Sequence, residues 1–82
     1  MNLSLDYDIR NKLANYLLGE ISLEYFMDWF VPVLWDVEHS NNQDAIEMAY
    51  EIELRLAEYS SDYWNEDELK KLLRPLIDAR WG

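Results

Sequence analysis

Residues 16–35 read YLLGEISLEYFMDWFVPVLW, and this stretch decides the fold. Tyr16 and Leu17 close an apolar stripe that begins upstream. Gly19 supplies a residue at ease in the left-handed conformation that ends a helix, and Ser22 offers a side-chain oxygen to cap the next one. From there Leu23, Phe26, Met27, Phe30 and Leu34 recur every three or four residues, the period of a helix facing a core. Tyr25, Trp29, Val33 and Trp35 cover much of the remaining circumference, and only Glu24 and Asp28 interrupt it before Asp36. The pattern predicts a helix surrounded on most sides, ending near Trp35 or Val37, with all three of Tyr25, Trp29 and Trp35 in the core. Pro32 lies inside it, where the lost backbone hydrogen bond predicts a kink or a split.

Upstream, Leu5, Ile9, Leu13, Tyr16 and Leu17 paint one face of a first helix running from about Leu5 to Leu18. Ser4 is placed to cap it, and Asp6 and Asp8 suit its positive end. Downstream, EHSNNQ at residues 38–43 is a polar loop. A third helix follows from about Gln43 to Tyr59, with Ala45, Ala49, Ile52, Leu56 and Tyr59 inward and Met48 beside them; Ser60, Ser61 and Asp62 break it. Asn65 and Glu68 have the spacing of a capping box at the start of a fourth helix, whose stripe is Leu69, Leu72, Leu73, Leu76 and Ile77. Pro75 predicts a bend or a break there, and Arg74 and Arg80 suit the negative end. No segment alternates with the period of a strand, and no internal repeat is visible. The expected fold is all-α: a compact antiparallel bundle of four or five helices in one domain spanning residues 1–82.

Such a short chain buries only about 60–65% of the surface its unfolded form exposes, which leaves a thin stability margin. The 82 residues contain no cysteine, so disulfides and thiolate metal sites are excluded together. Four tryptophans (Trp81 the last), six tyrosines and two phenylalanines are left to supply the core, as a monomer or a homodimer. The opening residues, MNLSLDYDIR, have no basic region followed by an apolar run, and the apolar stretch from Trp29 to Trp35 is too short to cross a bilayer. The plain expectation is a soluble, cytoplasmic protein.

Net charge is −10 and unevenly spread. Residues 1–19 balance, and residues 61–82 carry −1 because Lys70, Lys71, Arg74 and Arg80 face five acids. Residues 20–60 hold ten acids and one base, Arg55, for −9. Two readings of this surplus stand side by side. Asp44, Glu47, Glu51, Arg55 and Glu58 step along the outer side of the third helix, and Glu51 with Arg55 makes a favourable pair, so the charge can be a solvated face that serves solubility. Alternatively it is a docking surface for a basic protein, since one-sided charge speeds and orients encounter. Glu47 and Glu51 repel one another, which stability alone does not explain. No cationic patch exists to take nucleic acid.

Catalytic patterns are missing. One histidine, His39, sits in a loop without an oxyanion-hole signature, and no Glu-x-x-His, HExxH, Walker or dinucleotide motif occurs. Asp36, Glu38 and His39 match no EF-hand spacing. The expectation is no enzyme and no cofactor. Candidate partner-binding residues are Asp28, Asp36, Glu38, Asp44, Glu47, Glu51 and Glu58, chosen on charge, with Trp35 as an aromatic anchor if it reaches the surface beside Asp28 and Asp36. Tyr59, Tyr63 and Trp64 form a second aromatic cluster, either a plug for the end of the bundle or a contact surface.

The segment from Tyr16 to Trp35, with Y-L-x-G, then I-S-x-x-x-F, then aromatic residues leading to Trp35, resembles a group of uncharacterised short acidic helical proteins of bacteria. More distantly it is similar to colicin-type bacteriocin immunity proteins, acidic helical bundles that neutralise basic nuclease toxins. Tyr16, Leu17, Gly19, Ile21, Ser22 and Phe26 carry the match, and their roles are in the turn and in packing. The resemblance implies an immunity- or antitoxin-like inhibitor of a basic protein; the alternative is a small structural or oligomeric protein whose acidity serves solubility only.

Overall fold

The computed structural model describes residues 5–78, and Ser4, Arg80 and Trp81 lie outside the described residues. Four helices follow one another: α1 (Leu5–Leu17), α2 (Leu23–Glu38), α3 (Gln43–Ser60) and α4 (Glu66–Asp78). The turns between them are short, and no strand occurs among the described residues. The fold is an all-α bundle.

Local chemistry explains five of the boundaries. Ser22 Oγ accepts the amide hydrogen of Tyr25 at 3.0 Å, as the sequence predicts. Asn42 does the same for α3, its Oδ1 accepting from the Ala45 amide at 3.1 Å. At α4 the capping box closes: Asn65 Oδ1 accepts from the Glu68 amide at 2.8 Å and Glu68 Oε1 from the Asn65 amide at 3.0 Å. Helix α1 ends in a Schellman turn with Gly19 at φ 83°, where the Glu20 amide donates to the Asn15 carbonyl and the Gly19 amide to that of Tyr16. Helix α3 ends in the same way, with the Tyr63 amide on the Glu58 carbonyl and the Asp62 amide on that of Tyr59. There the left-handed residue is Asp62, at φ 68°.

Both prolines lie within continuous helices. Pro32 would have bonded to the carbonyl of Asp28 and Pro75 to that of Lys71. All four residues are exposed, so water can take the freed acceptors and neither helix splits.

Helices α1 and α3 form the central pair. Each touches the other three helices, whereas no close backbone approach joins α2 to α4 among the described residues. The core comprises Ile9, Leu13, Tyr16 and Leu17 of α1; Phe26, Phe30 and Val37 of α2; Ala45, Met48, Ala49, Ile52 and Leu56 of α3; and Leu69, Leu73 and Leu76 of α4. Of the predicted stripes, Leu5, Leu23, Met27, Leu34, Tyr59, Leu72 and Ile77 are only partly buried, and Val37 joins the core unpredicted. Phe26 lies at its aromatic centre, with ring centroids 6.0 Å from Tyr16, 5.4 Å from Phe30 and 6.1 Å from Trp29. Tyr16 ties α4 in as well: its hydroxyl donates to Glu66 Oε2 at 2.8 Å, and Lys70 Nζ stands 5.2 Å from its ring centroid. Burial first, and then the Glu66 carboxylate, hold the Tyr16 phenol well above its ordinary value near 10.0.

The placement of Tyr25 and Trp35 in the core is corrected: both are exposed, Trp35 by 64 %. Trp29 is half-buried, with Lys12 Nζ 5.4 Å from its ring centroid. A helix apolar on nearly every side buries only as much as its neighbours cover, and among the described residues α2 has α1 and α3 alone.

Two substitutions at the left-handed positions should move stability in opposite directions. Nothing lies within 4 Å of a Cβ added at Gly19, so Gly19→Ala meets the backbone penalty alone and should cost about 1 kcal/mol in urea unfolding. Asp62→Gly relieves a penalty of the same origin and should gain about 0.5 kcal/mol. Tyr16→Phe should cost about 1 kcal/mol at neutral pH through its lost hydrogen bond. Because the phenol is raised in the folded state, its contribution is complete below pH 10 and falls as pH climbs beyond it; Tyr16→Phe should flatten that alkaline decline in pH-dependent unfolding.

Candidate functional site

Between α2 and α3 the bundle leaves an apolar cleft. Met27, Phe30, Val31 and Leu34 line one wall and Leu56 and Ala57 the other, around a volume of about 230 Å³. Glu53 and Ser60 stand on its α3 side. Toward the end of α2 a smaller hollow of about 80 Å³ shares Leu34 and Glu53 with it and is lined further by Val37, Glu38, Ile46 and Tyr50. Toward the start of α2 a wider hollow of about 530 Å³ shares Met27 with it and is edged by Glu24, Asp28, Tyr59 and Glu66. Val31 and Tyr50 are exposed by 64 % and 72 %. Among the described residues, no lysine or arginine lines any of the three sections.

The neighbouring seam differs. Where α1 meets α2, Lys12 reaches over Tyr25 at 5.9 Å and Trp29 at 5.4 Å, and Asp8, Asn11, Lys12 and Asn15 make a polar lining. A cation over two rings shields the aromatic surface on that side. Among the described residues, the α2–α3 cleft has no such cover.

The candidate acids divide into separate sets. Asp28 and Glu38 border the cleft. Asp36 is phased about 80° beyond Asp28 around α2 and so faces away from Met27 and Leu34. Asp44, Glu47, Glu51 and Glu58 lie about 120–180° around α3 from Glu53, on the opposite flank. Arg55 engages two of them: Nη1 reaches Glu58 Oε1 at 2.6 Å, while Nη2 and Nε reach Glu51 Oε2 at 3.0 and 3.1 Å. Trp64 Nε1 also donates to Glu58 Oε1, at 2.9 Å. The Trp64 hydrogen bond, and then that of Arg55, hold the Glu58 carboxyl below its ordinary range, and the bond to Glu58 raises Arg55 in turn. Glu47 accepts from Gln43 Nε2 at 3.3 Å, and Asp44 stands in the first turn of α3, where the helix dipole favours an anion.

Trp35 reaches the surface one turn beyond Val31. Its ring stacks on His39 with centroids 4.0 Å apart, and the His39 Nδ1–H donates to the Trp35 carbonyl at 2.8 Å. That contact turns the imidazole toward α2's own end. Of the second aromatic cluster, Tyr59 and Trp64 are half-buried and Tyr63 is exposed, so Tyr63 plugs nothing. Among the described residues, no group of three or more histidine, cysteine, aspartate and glutamate side chains is placed to hold a metal ion. None of their helices is long and apolar enough to cross a membrane.

Glu24, Glu53, Val31 and Tyr50 are absent from the sequence-based candidates. Glu53 could have been found by phase, because it falls between the buried stripe and the outer acids of α3. Val31 could not, because it lies in a run that is apolar on every side. Compared with known proteins, the chain matches no family model, no curated protein and no solved structure.

Glu58→Gln should test the Arg55–Trp64 cluster. A depressed carboxyl contributes stability that is complete above its ordinary value, near 4.5, and is lost as pH falls through the folded-state value below it. Acid unfolding of the variant should therefore lose less stability below pH 4.5 than the parent, measured as the difference between the two curves.

Proposed function

We propose that this chain is a non-catalytic interaction module that binds a basic protein through its α2–α3 face, in the manner of an immunity or antitoxin-like inhibitor. One observation carries the reading: the apolar cleft between α2 and α3 is bordered by Glu24, Asp28, Glu38, Glu53 and Glu66 and, among the described residues, by no cation. Apolar surface rimmed by polar groups marks docking sites, and unbalanced charge around it selects the sign of the partner and speeds its approach. Inhibition would work by occlusion, with the carboxylates covering a cationic surface and exposed side chains such as Val31, Trp35 and Tyr50 anchoring the contact. If the distant resemblance to colicin-type immunity proteins extends to function, that partner is a basic toxin; the matching residues themselves serve the turn and packing.

A second reading, a small structural or oligomeric protein whose acidity serves solubility only, draws on Arg55. By pairing with Glu51 and Glu58 it takes part of the surplus out of play.

Co-expression with the products of the adjacent genes, followed by stopped-flow association at graded ionic strength, separates the two. The docking reading expects a basic product to co-purify. Its association rate should fall at least about tenfold between about 0.05 and about 0.5 M salt. A rate that ignores salt, or a free chain that sediments as a dimer and takes no basic protein, favours the second reading and sinks the first.

A further inference from the structure

We infer that the α2–α3 cleft receives a basic amphipathic helix of the partner, laid along the full length of α2. This rests on the docking reading above and specifies what is docked. Length is the first ground. The lining runs from Leu23 to Val37, which at 1.5 Å per residue is about 21 Å, or four turns of an incoming helix. Shape is the second. The cleft is a valley between two helices, the form into which a third helix packs its side-chain ridges, and among the described residues there is no strand edge on which an extended peptide could add.

Chemistry is the third ground. Met27, Val31, Leu34 and Ala57 present an apolar strip suited to residues at i, i+3 or i+4, and i+7 of an occupant. Carboxylates stand at the start of the strip (Glu24, Asp28), at its middle (Glu53) and at its end (Glu38), where an occupant's flanking lysines and arginines would fall. Met27 adds a flexible side chain able to adapt to the anchors.

Charge also rejects the other occupants. A second copy of this chain docking the same face about a two-fold axis would bring carboxylates against carboxylates. Anionic membranes and nucleic acid are repelled by the same rim.

The test uses two labelled synthetic peptides of equal composition, built only from leucine and lysine and about 16 residues long, a little over four helical turns. In one the leucines form a single helical stripe; in the other they are scattered around the helix. Fluorescence anisotropy should show the striped peptide binding at least about tenfold tighter. Amide chemical-shift changes should gather at Met27, Leu34 and Ala57. Val31→Lys and Glu53→Lys should each weaken binding at least about tenfold, while Glu47→Lys, the same charge change on the opposite flank of α3, should leave it within about twofold. Circular dichroism melting verifies that each variant is folded; if Val31→Lys fails this, Ala57→Lys replaces it. Equal binding of the two peptides, or shifts centred on Glu47 and Glu51, overturns the helix occupant and leaves electrostatic docking standing. If neither peptide binds, the helix occupant also falls, and the salt dependence of the natural partner decides the docking reading by itself. Sedimentation of the free chain as a dimer, with protection of Met27 and Leu34, overturns both.

Discussion

Everything in this bundle leans on the ring of Phe26. A chain of 82 residues without cysteine has little besides side-chain packing to hold it closed, and aromatic rings deliver the most buried area per residue. Phe26 touches Tyr16 across the first turn and both Phe30 and Trp29 along its own helix. Tyr16 then passes the connection to α4 through Glu66 and Lys70. The turn that makes this contact is set by two residues: Gly19, which reverses the chain at φ 83°, and Ser22, which starts α2 in the correct phase. Were α2 to begin one residue later, its stripe would rotate by about 100° and Phe26 would leave Tyr16.

The same arrangement creates the exposed face. With α1 and α3 at the centre, α4 and α2 fall on opposite sides of the pair. Helix α4 has a narrow leucine stripe and buries it. Helix α2 is apolar on nearly every side but packs, among the described residues, against α1 and α3 only, so Val31 and Trp35 are left in water. Scattered exposed apolar side chains are ordinary, and Tyr7, Leu18, Leu54 and Tyr63 are of that kind; Val31 and Tyr50 differ in lining one cleft. The acids that surround it keep such a surface soluble, and this is consistent with either reading of the charge.

Much of the fold was legible in the residues because it is governed by local rules. The four leucine-rich or aromatic stripes, the Gly19 stop, the Ser22 cap and the Asn65–Glu68 box all act within a few positions of the chain. The exposure of Tyr25 and Trp35 was not legible, because it depends on how many helices surround α2, and periodicity in one helix carries no count of its neighbours. The continuity of α2 through Pro32 follows from the exposure of Asp28 and is hidden for the same reason. The candidate site was legible only in its sign. Composition locates the negative surplus in residues 20–60, but the pairing of α2 with α3 decides that Glu53 joins Asp28 and Glu38 while Glu51 and Glu58 turn to Arg55.

That division gives the two flanks of α3 different physical characters, and it bears on how the proposed face would discriminate. On the Arg55 flank, the charge of Glu51 and Glu58 is partly neutralised by Arg55, so a cation approaching either of them must compete with a guanidinium and, at Glu58, with the Trp64 indole. On the cleft flank, Glu53 has an apolar wall beside it. An occupant that fills the wall also strips water from the carboxylate, and removing that water without supplying a cation is costly. A purely apolar helix would therefore be penalised by the acids, and a purely basic segment would leave Met27, Val31 and Leu34 wet. Only a ligand carrying both features at helical spacing satisfies both walls together, so selectivity on this face would come as much from what the carboxylates reject as from what they attract.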